Sequence, residues 1–147
     1  MVSEQDAELG PEQCWELLNA QELGRLAFRL GTEQHLTPIN YAVDVNERGR
    51  RSLLFRTKRT SKLLAAELGE EVAFEIDDVA GDEATSVVVR GFLRRLLDEE
   101  AYRAENLPLR PWLADGRYDV VEIVPEVVTG RRYPIHRPWL HLRPEAT

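Results

Sequence analysis

Through most of this chain apolar residues recur at every second position, and that period of two predicts a β protein. In Gly24 to Leu30 the apolar face is Leu26, Phe28 and Leu30, set against Arg25 and Arg29. Leu36 to Asp44 continues with Ile39, Tyr41 and Val43 alternating with Pro38, Asn40 and Ala42. Asn46-Glu47-Arg48-Gly49 predicts a hairpin turn with Gly49 at positive φ, and Ser52 to Thr57 the third strand. Val72, Phe74 and Ile76 mark a fourth strand ending at Asp77-Asp78. After a small acidic loop, Val79 to Ala84, comes a long fifth strand, Ser86 to Leu97, with Gly91 placed for a bulge or bend. Val120 to Val124 and Val127 to Tyr133 supply the last strand or pair.

Helical spacing is confined to short pieces. Pro11 suits a first helical position, and Trp15, Leu17 and Leu18 give the next turns an apolar face. A second helix, starting at Thr60 or Ser61, carries Leu63, Leu64 and Leu68 and stops at Gly69. Asp98 to Glu105 predicts a polar helix capped by Asp98, and Pro108, Pro111 and the Trp112 region an irregular connection. Residues 1–10 are expected to form a flexible acidic leader, 11–134 one folded domain, and 135–147 an extended tail. Six or so antiparallel strands with short turns and few helices predict a mainly β fold, a closed or nearly closed barrel. Closure removes sheet edges, the weak point of small β domains.

Composition narrows the function classes. A length of 147 residues fits one compact domain, and 43% hydrophobic with 31% charged residues fits a globular chain. No apolar run approaches a membrane span of ~20 residues, and residues 1–10 lack the basic and apolar regions of a signal peptide, so a cytoplasmic address is expected. The formal net charge of -7 argues against general nucleic-acid binding. Cys14 is the single cysteine, which rules out an intrachain disulfide and a multi-cysteine metal site. His35, His136 and His141 are scattered without metal-ligand spacing.

Against that acidic background one segment reverses the charge. Arg56, Lys58, Arg59 and Lys62 place four cations in seven residues, interleaved with Thr57, Thr60 and Ser61 at a strand-to-helix turn. Guanidinium, ammonium and hydroxyl donors beside the free N–H groups and positive dipole end of a helix suit a phosphate. The same residue types also serve as ordinary caps and solvated surface. No Ser/His/Asp or Cys/His constellation is legible, and no catalytic acid or base is assigned.

In order along the chain, Leu23-Gly24-Arg25-Leu26-Ala27, Pro38-Ile39-Asn40-Tyr41, Leu54-Phe55-Arg56-Thr57 with Ser61-Lys62-Leu63, Val72 to Asp77, Ser86 to Gly91 and Val128-Thr129-Gly130-Arg131-Arg132-Tyr133 resemble the pyridoxamine 5'-phosphate oxidase-like family of flavin-binding split barrels. The resemblance spans about residues 14 to 133 and implies a six-stranded split barrel that forms a homodimer, with FMN between the subunits and a small organic substrate. By the same resemblance Arg56, Thr57, Ser61 and Lys62 hold the ribityl phosphate, while Asn40 and the backbone near Pro38 and Ile39 lie along the flavin ring. Leu54 and Phe55 supply the strand on which the ring rests, and Trp112 reaches the partner's flavin. Thr85 stands where many relatives carry tryptophan, and no basic and aromatic substrate set is visible near the C-terminus, so vitamin B6 oxidation is not the expected reaction. An FMN-dependent oxidoreductase is the leading expectation. The alternatives are a reductase using the deazaflavin F420 and a non-catalytic flavin-binding sensor or interaction module.

Overall fold

The computed structural model describes residues 7–58, 61–108 and 118–135. Its strands are β1 (Ala7–Leu9), β2 (Leu23–Leu30), β3 (Glu33–Val45), β4 (Arg51–Thr57), β5 (Glu71–Ala80), β6 (Glu83–Leu96) and β7 (Asp119–Pro134). Helix α1 (Pro11–Ala20) precedes β2, α2 (Ser61–Leu68) links β4 to β5, and a 3-10 helix (Asp98–Asn106) follows β6. All pairings are antiparallel, in the order β1-β7-β4-β3-β2-β5-β6, and β6 also pairs with β7. That last pairing closes the six long strands into the expected split barrel. No helix among the described residues is long and apolar enough to cross a membrane.

The period of two sorts the side chains as the pattern requires. Leu26, Phe28, Ile39, Tyr41, Leu53, Phe55, Phe74, Val87, Val89, Val121 and Ile123 fill the interior. Tyr41 meets Phe74 edge to face at 4.8 Å, and its hydroxyl donates to the carbonyl of Leu18 in α1 at 2.6 Å. Burial without an anionic-form partner drives its phenol pKa well above the usual value. Gly24 gives the Phe74 ring its room, since a Cβ there would lie 2.2 Å from that ring. Cys14 is fully buried, as a small hydrophobe, and burial raises its thiol pKa.

Three features differ from the sequence expectation. Ala7–Leu9, assigned to a flexible leader, pairs with Gly130–Arg132 and buries Leu9 beside Cys14 and Gly130. Alternation is too short to show over three residues, so only tertiary pairing reveals that strand. The acidic loop of Val79 to Ala84 contracts to Gly81-Asp82, because β5 and β6 stay paired out to Ala80 and Glu83 and Gly81 takes φ +62. The polar helix is 3-10 in type, with Leu97 as its cap residue and Asp98 itself at φ +52. Of the two forms expected for the last segment, one strand or a pair, the structure has one strand, bent where the register shifts between Arg90 and Gly91.

Candidate functional site

The outer face of β3 and β4 carries the polar residues that alternate with the core. Pro38, Asn40, Ala42 and Asp44 project outward from β3, and Ser52, Leu54 and Arg56 from β4. Register pairs Tyr41 with Phe55 and Ala42 with Leu54, and the outward positions next to the end of that ladder are Asn40, paired with Leu23 of β2, and Arg56, paired with Val120 of β7. Asn40 donates its side-chain amide to the carbonyl of Glu22 at 2.9 Å, which fixes it at the β2 entry. Arg56 donates to the carbonyl of Ala104 at 3.2 Å and lies 5.3 Å from the centre of the Tyr118 ring. This cation is therefore held by the 3-10 helix on one side and an aromatic face on the other.

Thr57, the next residue, faces inward and is buried, with its hydroxyl donating to the carbonyl of Lys58 at 3.1 Å. The chain then enters α2 within three residues. Lys62, in the first turn, is half-buried, and burial holds its ammonium pKa below the ordinary value. A cation kept in such a place is suited to an anion that arrives with it out of water. Of the other expected contacts, Ile39 and Phe55 lie inside the barrel, Leu54 lies under the 3-10 helix, and Pro38 is exposed. Leu54 and Phe55 are fully buried, so on the single chain β4 presents Arg56 rather than those two side chains. Trp112, Arg59, Thr60 and the side chain of Ser61 lie outside the described residues.

Further along the same face is a cluster that sequence reasoning missed. Glu122 is 5% exposed and accepts hydrogen bonds from Ser52 (2.7 Å), Arg103 (2.7 Å) and Arg94 (2.9 and 3.2 Å). Arg103 also binds Asp44, and Arg94 reaches Glu100 at 2.7 Å. Burial pushes the Glu122 carboxyl upward, but the hydrogen bonds from Ser52, Arg103 and Arg94 outweigh it and leave its pKa below the ordinary value. The network pins the 3-10 helix over Ala42, Leu54, Leu96 and Val120. A signal for it existed in the sequence: Glu122 interrupts the apolar run Val120 to Val124, and a carboxylate in such a strand needs partners.

Clefts formed by described residues include the following three. One of about 660 Å³ lies between β4 and β7, with Trp15, Arg50, Arg51, Ser52 and Pro125 in its walls. One of about 900 Å³ runs beside the β2–β3 hairpin, where His35 stacks on Phe28 at 4.9 Å. The third, about 540 Å³, borders Arg94, Arg95 and Asp98 to Glu100. None of the three is lined by Arg56, Thr57 or Lys62.

Comparison with known proteins bears on this geometry. The sequence model of the family described as pyridoxamine 5'-phosphate oxidase matches residues 10–132. The uncharacterized protein Rv0080 of Mycobacterium tuberculosis is 33% identical over 132 residues, covering 85% of this chain and 84% of that protein. The FAD binding protein from Mycobacterium smegmatis superposes with a TM-score of 0.75 at 34% identity, over 88% of this chain and 100% of that one. A conserved protein of unknown function from Corynebacterium diphtheriae also gives 0.75, at 29% identity over 88% and 99%.

Proposed function

Because the chain belongs to the pyridoxamine 5'-phosphate oxidase family, we propose that it binds a flavin, FMN, at the corner where β4 turns into α2, and uses it to oxidise or reduce a small organic substrate. The observation that carries this reading is the placement of Arg56. It stands on the outer face of β4, braced by Ala104 and Tyr118, five positions before the start of α2.

The donor set fits a phosphorylated ring. The Arg56 guanidinium, the α2 backbone N–H groups and the Lys62 ammonium supply charge-assisted hydrogen bonds to a phosphate. Asn40 and the β3 backbone at Pro38 and Ile39 border the neighbouring strip, where a flat ring extends along the strand. Bound flavin supplies the hydride or electron transfer, and the protein binds, orients and excludes water. This division is consistent with a site that carries no assigned side-chain acid or base. FMN, whose single phosphate matches the Arg56 and Lys62 donors among the described residues, is the flavin proposed. The FAD bound by the Mycobacterium smegmatis relative supports flavin as the cofactor class.

A homodimer completes the reading. Leu23, Leu36 and Val45 are 47%, 72% and 57% exposed, apolar surface suited to burial against a second copy. A cytoplasmic location is part of the same proposal. The test is an absorption spectrum of the purified protein, mass identification of any released chromophore, and titration with FMN, FAD and F420. Saturable FMN uptake that falls at least about tenfold in Arg56→Ala supports the reading. A folded protein that takes up none of the three overturns it. Uptake without turnover by any donor and acceptor pair turns the assignment from an enzyme to a sensor.

A further inference from the structure

We propose that the wedge between β4 and β7 is a second small-molecule site, separate from the flavin corner, and that it takes a flat organic carboxylate. The wedge exists because β7 bends. β4 and β7 are paired from Leu53 and Ile123 to Thr57 and Asp119, but the bulge opposite Gly91 turns Val124-Pro125-Glu126 away from β4. The opening of about 660 Å³ that results is in the size range of small-molecule pockets.

Its walls are of two kinds. Trp15, Val124, Pro125 and Val128 give an apolar side, and Arg50, Arg51 and Arg94 a cationic one. Arg51 is paired with Glu12, and Arg94 with Glu100 and Glu122, so the guanidinium of this wall left for a ligand is Arg50.

The charges also differ in their availability. Glu122 is saturated by Ser52, Arg94 and Arg103, so the floor of the wedge is neutralised. Arg51 is locked to Glu12 by two hydrogen bonds, 2.7 and 3.1 Å, with its guanidinium 5.0 Å from the centre of the Trp15 ring. That stack fixes a flat platform at the mouth. Arg50, on the exposed turn above it, has no ion pair among the described residues. A single uncommitted guanidinium beside an apolar, partly aromatic wall matches a planar monoanion, whose carboxylate fits the guanidinium fork.

The site is distinct from the flavin corner by construction. Ser52 and Arg56 lie four positions apart on β4, about 13 Å at the rise of a strand, with the 3-10 helix between them. The test is calorimetric titration of the full-length protein, with and without added FMN, using 2-naphthoate and its neutral counterpart naphthalene-2-carboxamide. One naphthoate per chain should bind with Kd at or below about 1 mM, and the carboxamide about tenfold more weakly. Arg50→Ala should weaken naphthoate about tenfold, while Glu126→Gln, which removes a like charge from the rim, should tighten it. The gain in Glu126→Gln is a result misfolding cannot produce. Absence of saturation to about 10 mM, equal binding of acid and amide, or indifference to both substitutions overturns the proposal. So does loss of naphthoate binding in Arg56→Ala or its displacement by FMN, which would place the ligand at the flavin corner and leave the flavin reading intact.

Discussion

Gly91 of β6 faces the Val124 carbonyl of β7 so closely that a Cβ on residue 91 would sit 1.9 Å from that oxygen. Backbone against backbone leaves nothing flexible to yield. Gly91→Ala should therefore lower unfolding free energy by about 3 kcal/mol, read as a drop in denaturant midpoint. Gly31→Ala, at a hairpin glycine with φ +60 and open space around it, should cost only about 1 kcal/mol. Equal losses would mean that conformational freedom, rather than close approach, makes Gly91 necessary.

Removing the Glu122 carboxylate leaves Arg94, Arg103 and Ser52 without their shared acceptor. Glu122→Ala should cost about 3 kcal/mol at neutral pH. The sign of its pH dependence follows from the downward shift. A carboxyl whose folded pKa lies below the ordinary 4.5 contributes its full stabilisation above that value and loses it as pH falls through the folded pKa. The gap between wild type and Glu122→Ala should accordingly shrink in acid. A gap constant down to pH ~3 would show that packing, not charge, holds the 3-10 helix.

Tyr41 should behave in the opposite direction. Its phenol pKa is raised by burial, so its contribution is complete below the ordinary value of 10.0 and declines as pH climbs beyond it. Tyr41→Phe loses the hydrogen bond to Leu18, and the unpaired carbonyl should cost about 1 kcal/mol. In spectrophotometric titration one of the four tyrosines should stay protonated at about pH 11 in the folded protein and ionise only on unfolding, so that native wild type and native Tyr41→Phe give the same phenolate signal there. A native Tyr41→Phe protein with one phenolate fewer than native wild type at that pH would refute this.

The Cys14 thiol has zero exposure and a pKa raised by burial, which are the marks of an inert cysteine. A maleimide should label it only at the rate at which the protein opens, and labelling should accelerate with denaturant in step with unfolding. Fast labelling in native buffer would place α1 away from the barrel part of the time.

The barrel was legible because alternation survives in single residues: each of the long strands contains an uninterrupted inside face, Leu26-Phe28 or Phe74-Ile76 for example, and the turns carry Gly31, Gly49 and Gly81 at positive φ. Arg56 and Asn40 were legible for the same reason, as polar positions opposite a core residue. The register of their strands was not, since it is set by turns and by the partners of both strands. Ala7–Leu9 and the extended β5–β6 arm were missed because neither depends on apolar pattern; backbone pairing holds both, the first with β7, distant in sequence, and the second across its own hairpin turn. The Glu122 network escaped because its members, Asp44, Ser52, Arg94 and Arg103, come from four separate elements.

Residues 7–9 have an effect out of proportion to their number. By lying along Gly130–Arg132, they screen backbone donors and acceptors on the flank of β7 that β6 does not use. A truncation beginning at Gly10 would uncover that flank and offer it to any extended segment nearby. Self-association through strand addition, visible as concentration-dependent turbidity while the barrel itself remains folded, is what such a trimmed protein should show.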